Sequence, residues 1–275
     1  MNDFPIRREL RFNRVYVLQS LDKAEKQTGS ILYNDLLRWQ HYQLNKLSAE
    51  LVEVECKAHL ISVFDQIREN VYTNNYYPYI HFEVHGNQMG LVLNTSELVT
   101  WKELAIWFET INWSIQNNLF VSFATCYGAK IFEKIDIMRV SPFFGFLAPT
   151  DKVLNNDIEV GFYKYFETLF STFDGNQAIK VLNDSLSSGS SKFICQQSEQ
   201  VFEIIANKYI EKLQTSPSFK KLRTEQLLSK MKQSQKLMAR YTNDQLKILS
   251  LKMIEGRSLE MIQAHKDKFL MKGNA

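Results

Sequence analysis

The chain has 275 residues, 45% of them hydrophobic, enough for one sizeable core or for a core with an appendage. No stretch approaches the roughly 18 consecutive apolar residues of a membrane-spanning helix, and no secretory leader pattern opens the chain. Net charge is +3, but Glu211–Ala275 carries 14 basic and 6 acidic residues, so a +8 tail follows a body of −5.

The three cysteines, Cys56, Cys126 and Cys195, are far apart and odd in number, which argues against a disulfide framework. The expectation is a soluble protein of a reducing cytoplasm. Residues 1–12 read as a polar arm with Arg7, Arg8 and Arg11. A first strand is expected from Arg14 to Leu18, and a helix from Ser30 to Leu44 with Ile31, Leu32, Leu36 and Leu37 at helical spacing. Leu51 to Glu55 alternates with period two, and Lys57 to Val71 is amphipathic.

Tyr79 to His85 is the third expected strand, closed by His85-Gly86. Met89 to Leu93 reads as a short returning strand. A long helix carries Trp101, Leu104, Trp107 and Ile111, with Ser96 as its expected cap. Leu119 to Ala124 is a fourth strand, running into Thr125-Cys126-Tyr127-Gly128, and a helix is expected from Ala129 to Ile137. Beyond it come Phe143 to Leu147, helices at 158–171 and 176–186, a Ser/Gly loop at 186–192 and an edge strand at 192–195. From Ser216 the chain reads as two or three lysine-rich helices, the last opening at Ser258.

Strands alternating with helices imply an α/β fold, a mostly parallel sheet sandwiched by helices with a C-terminal helical extension. Functional residues of such sheets gather beyond the carboxyl ends of the strands. His85 and Cys126 close the third and fourth strands. If those strands are neighbours, a thiol and an imidazole share one opening, the pairing needed for nucleophilic attack on a carbonyl with proton transfer. Gly86 lets the backbone turn away without a side chain, and the N–H groups of Gly86 and Cys126 are placed to face an oxyanion. A helix beginning just after Cys126 would favour its thiolate.

A hydrophobic strand ending in His-Gly, then a helix, then a hydrophobic strand ending in a small residue and Cys resembles the caspase-like cysteine peptidases. The stretches HGNQMGLVLNTSELVTWKEL, LFVSFATCYGA and FFGFLAPTDKVLNNDIEVGFYKYFETLF look most like the bacterial CHAT branch, grouped with the separases. The resemblance spans roughly residues 13–210. It implies His85 as the catalytic histidine, Cys126 as nucleophile, and Gly86 in the oxyanion hole. Relatives that cut after Arg or Lys carry an acidic residue just before the cysteine, where Ala124 and Thr125 stand here. Asp151 or Asp157 is then placed to line the substrate pocket and select a basic residue.

Three segments result: an arm at 1–12, a peptidase domain at 13–210 and a basic helical tail at 211–275. The expected function is cysteine endopeptidase activity in a regulated bacterial effector, such as one of anti-phage defence switched on by a protein partner or a signalling nucleotide. The alternative is a catalytically silent scaffold that binds a partner or nucleotide. The expected partners are a protein or peptide substrate, an activating protein or nucleotide, and a second copy of the chain.

The remaining motifs carry blander expectations. His81 reads as a hydrogen-bonded core residue, and Cys56 and Cys195 as core fillers. Cys56 and His59 lack a second pair of metal-ligand spacing, so no metal and no cofactor is expected. No glycine-rich nucleotide loop occurs. The tail's lysines alternate with apolar residues and lack aromatic interleaving, so nucleic acid is not an expected partner. The loop at 186–192 is the candidate activation loop.

Overall fold

The computed structural model describes residues 11–40, 44, 47–256 and 259–272, without the side chains of 255 and 259–261. The expected arm at 1–12, residues 41–43 of the helix expected from Ser30 to Leu44, and the Ser258 start of the last helix therefore fall wholly or mostly outside the described residues.

The first strand, β1 (Arg14–Ser20), is apolar on both sides, with Val15 and Val17 facing one way and Tyr16 and Leu18 the other. A strand so built must be covered on both faces. It pairs in parallel with β2 (Ser48–Glu53) on one side and β3 (Pro78–Gly86) on the other. Beyond β3 lie β6 (Phe120–Ala124), β7 (Gly145–Pro149) and β8 (Phe193–Gln197), in the order β2-β1-β3-β6-β7-β8. Only the β7–β8 pairing along this path is antiparallel. The short strands β4 (Gly90–Val92) and β5 (Leu98–Thr100) extend β3 past the parallel sheet, pairing its last residues His85 and Gly86 with Val92 and Leu91. The fold is the mostly parallel, helix-sandwiched α/β sheet expected from the sequence.

Helices cover both faces. On one face α2 (Lys57–Asn74) and α3 (Trp101–Ser114) bring Leu60, Phe64, Ile67 and Phe108 onto Phe82 and Phe123, whose rings stack at 5.2 Å. On the other face α1 (Thr28–Asp35), α4 (Asn155–Thr172) and α5 (Gly175–Asp184) bring Leu32, Phe162, Phe166 and Leu182 onto Val15, Val17 and Tyr79. Each fully buried Phe or Leu contributes about 1.5–3 kcal/mol. From Ser198 on the chain forms α6 (Ser198–Thr215), which straddles the expected boundary at 210/211, then α7 (Pro217–Lys232), α8 (Gln235–Met238), α9 (Asn243–Glu255) and α10 (Leu259–Phe269).

Several local expectations change. Ser96 does not cap the long helix; it has φ 67° in the β4–β5 turn. Thr100 caps it instead, accepting the Glu103 N–H at 3.2 Å while Glu103 accepts the Thr100 N–H at 3.0 Å. The first helix ends at Asp35, short of Leu44, and a 3-10 turn at Leu37–Trp39 comes next, with the Trp39 indole donating to the Asn34 carbonyl. The helix expected at 129–137 is a 3-10 segment, Gly128–Lys134. The tail breaks at Gln233-Ser234 and again at Ala239–Thr242, giving more helical pieces than the two or three its periodicity implies.

Candidate active site at the strand ends

The chain runs outward from β1 to β2, then returns to add β3, β6 and β7 on the other side. The crevice at such a reversal is where α/β sheets place ligands. Three segments meet there: the loop after β1, the end of β3 and the end of β6. In the β3–β6 register Glu83 lies opposite Ala124, so His85 and Cys126, each two residues further, leave their strands at one level.

His85 and Cys126 line one small pocket together with Glu25, Lys26, Thr28, Glu83 and Val153. Its volume is about 30 Å3, room for little more than one water. The two side chains do not bond each other among the described hydrogen bonds. The Cys126 thiol donates weakly to the Val153 carbonyl at 3.8 Å. His85 Nε2 lies 2.9 Å from both oxygens of Glu25. That hydrogen bond, outweighing the opposite effect of burial, holds the Glu25 carboxyl below its usual range.

Glu25 escapes sequence reasoning because it comes from a polar loop 60 residues upstream of His85. The loop is self-braced: the Asp22 carbonyl accepts from Glu25 N at 2.9 Å and from the Gln27 amide at 2.7 Å. Lys26, beside it, pairs with Glu159 of α4 and so fastens the loop across the crevice.

Gly86 is set by contact. A Cβ there would lie 2.4 Å from the Cys126 carbonyl oxygen, so the two strand ends can run side by side only with glycine at this position. Thr125, standing where relatives carry an acid, is buried, and its hydroxyl donates to the Val84 carbonyl. It ties the β3 and β6 ends together. Tyr127 adopts a left-handed conformation, φ 60°, turning the chain away directly after Cys126, and its N–H donates to the Asp151 carbonyl at 3.0 Å. The chain then enters the 3-10 segment, so Cys126 does not head the α-helix that the sequence implied.

Beneath His85, alternate residues of β3 form a buried polar relay. His81 Nδ1 lies 2.7 Å from Ser122 Oγ, and His81 Nε2 lies 3.1 Å from Glu83. The Thr28 hydroxyl donates to Glu83 at 2.7 Å. His81 is thus the satisfied core histidine expected, while Glu83 puts a second carboxylate on the pocket wall. Period two along the strand was the available signal for Glu83, since it shares a face with His85.

Asp151 and Asp157 are not among the pocket's lining residues. The Asp151 carboxylate accepts from Lys152 N at 2.8 Å and raises the pKa of the neighbouring Tyr127 hydroxyl. Asp157 is buried and accepts from both the hydroxyl (2.6 Å) and N–H (3.1 Å) of Ser187, with Ser187 first among the groups that lower its pKa. The loop at 186–192 is therefore tied down. Ser190 accepts from Leu154 N, Ser191 N donates to the Lys152 carbonyl, and the Ser191 hydroxyl meets Thr150. These bonds hold the segment that presents Val153 to the thiol.

Cys56 caps α2, its sulfur accepting from His59 N at 3.4 Å. The Cys195 thiol is buried, although part of the residue reaches the surface, and burial pushes its pKa to about 12. Among the described residues no group of three metal-ligating side chains converges, and no helix is long and apolar enough to cross a membrane.

No protein-family model matches the sequence, and no curated protein is similar to it. Among solved structures the chain is similar to the crystal structure of Chaetomium thermophilum Raptor, with 12% identity and a TM-score of 0.37, over 66% of this chain and 19% of that one. A likeness of that size says nothing about activity.

Proposed function

We propose that the protein is a caspase-like cysteine endopeptidase with Cys126 as nucleophile and His85 as general acid and base. The supporting observation is that two segments about forty residues apart in sequence deliver a sulfur and an imidazole to one pocket at the sheet's switch point. In the reaction Cys126 Sγ attacks the scissile carbonyl carbon and its proton passes to His85. The tetrahedral oxyanion collapses, the C–N bond breaks, and His85 returns the proton to the departing amine. Water, deprotonated by His85, then hydrolyses the thioester and restores the thiol. Glu25 positions the imidazole. The Gly86 and Cys126 amides receive the oxyanion.

With Glu25 and Glu83 set against Lys26 on its wall, the pocket keeps a net negative lining that favours a basic side chain before the scissile bond. At about 30 Å3 it is too small for one, so the described state is a resting state. Opening it requires the 21–27 loop or the 150–154 segment to shift, which fits a regulated effector switched on by a partner or a nucleotide. The 187–191 serines and the Lys26–Glu159 pair are the contacts an activator would break. The thiol's turn toward Val153 favours a second reading, a catalytically silent scaffold.

The two readings separate in one experiment. The full chain and Cys126→Ala are incubated with a peptide library and a cell extract, with and without candidate nucleotides. Peptides that appear only with the unmodified chain support the peptidase. Identical patterns under every condition leave the scaffold.

A further inference from the structure

Just below the crevice, three neighbouring strands present polar residues at one level. Gln19 of β1 lies opposite Glu53 of β2 on one side and Glu83 of β3 on the other. Gln19 and Glu83 are buried. Strands covered on both faces are otherwise apolar at such positions, and a buried amide or carboxylate is costly unless it is hydrogen-bonded. Much of the bonding that satisfies this row leaves the sheet and reaches the chain at 27–30.

Gln19 commits its whole amide. Its Nε2 donates to Gln27 Oε1 at 2.9 Å and to Glu53 Oε1 at 2.7 Å, and its Oε1 accepts from Ser30 N at 3.0 Å. The last bond satisfies a first-turn N–H of α1, whose N-cap residue, Gln27, makes no cap bond with its side chain. Thr28 adds the hydroxyl bond to Glu83. Gly29 sits directly on the row: a Cβ there would lie 2.8 Å from Gln19 Oε1 and 2.9 Å from Glu83 Cγ. Gln27 passes the constraint outward. Its Nε2 donates to the carbonyls of Asp22 at 2.7 Å and Glu25 at 2.9 Å. Two hydrogen bonds thus join the buried Gln19 to the backbone of Glu25, whose carboxylate meets His85.

The Glu25 and His85 side chains are 35% and 52% exposed, and an exposed pair gains too little to hold its own geometry. We propose that Gln19 is a positioning residue: through Gln27 it fixes the backbone of Glu25, and with it the place at which Glu25 meets His85. Its catalytic meaning rests on the peptidase reading, because a fixed imidazole matters to the reaction only if His85 moves the proton.

The test uses the full chain with Gln19→Met and Gln27→Met, two replacements of similar length that lose the amide bonds. Two quantities are read: the Glu25 carboxyl midpoint by carbon-detected NMR, and kcat and KM on a peptide that the parent cleaves. In both variants the midpoint is expected to move up toward 4.5, and kcat to fall by about 10–100-fold with KM within about twofold. Arg14→Met is the control. It removes bonds to Ser48 and Glu50 at the far end of the same strand, and should leave both readings as in the parent. Should buried Gln19→Met fail to fold, half-buried Gln27→Met decides alone. An unchanged midpoint in a Gln27→Met chain that melts cooperatively overturns the proposal, and so does an equal shift in Arg14→Met. If the parent cleaves no peptide, the peptidase reading fails by itself. The midpoint then judges the clamp: a shift upholds Gln19 as the residue that places Glu25, and no shift overturns it.

Discussion

Replacing Gly86 by alanine tests the central geometry. The added Cβ meets the Cys126 carbonyl oxygen at 2.4 Å and the Thr125 methyl at 3.0 Å. Backbone cannot swing aside as a side chain can, so the contact must open by roughly 1 Å to reach ordinary van der Waals separation. Overpacking of this kind costs about 1–3 kcal/mol, or a fall of about 2–10 °C in melting temperature for a chain of this size. The displacement falls on the residue bearing the thiol, and a misplacement of ~1 Å at a reacting group lowers turnover by about 100-fold. The assays are thermal melting and the rate of Cys126 alkylation by a peptide chloromethyl ketone. Gly161→Ala is the control: its new Cβ lies no closer than 3.6 Å to any neighbour and sits within α4, so it should stabilise by about 0.5–1 kcal/mol. A Gly86→Ala protein that melts with the parent and alkylates within twofold of it would refute the abutment of the two strand ends.

The charged and buried groups give further outcomes. The Glu25 carboxyl should titrate below 4.5 by carbon-detected NMR and return toward that value in His85→Gln; an unchanged midpoint removes the pair. Its folded pKa is depressed, so the pair's stabilisation holds above 4.5 and is lost as pH falls through the lower folded value. Cys195 should resist iodoacetamide at pH 8 until the chain is unfolded, by mass spectrometry, whereas Cys126 reacts. With its folded pKa raised from 9.0 to about 12, the folded chain keeps a proton that the unfolded chain releases, so stability should decline as pH rises through that window. Glu103, held at about 2 chiefly by Lys57, adds stability above 4.5 that is lost as pH falls toward 2. Its side chain is 37% exposed, so solvent screening trims the effect. Glu103→Gln, which can keep the capping box but loses the ion pair with Lys57, should cost up to about 1 kcal/mol by urea unfolding.

The sequence alone determined the parts whose signals are local. Two-sided apolar runs such as Val15–Leu18 marked buried parallel strands, and period 3.6 marked α2, α3 and α4. Those elements, together with the strand-ending His85-Gly86 and the post-strand Cys126, were legible because propensity and burial pattern act over a few residues. Local signals also misled locally. Ser96 and Thr100 both suit a cap, and the β4–β5 hairpin decided between them. Only the tertiary structure brought Glu25 to His85, put Glu83 rather than Asp151 or Asp157 on the pocket wall, and set Gln19 between Glu53 and Glu83. Each of these depends on which distant segments the strand order makes adjacent, and a side chain 60 residues away leaves no periodic trace in the chain that it will meet.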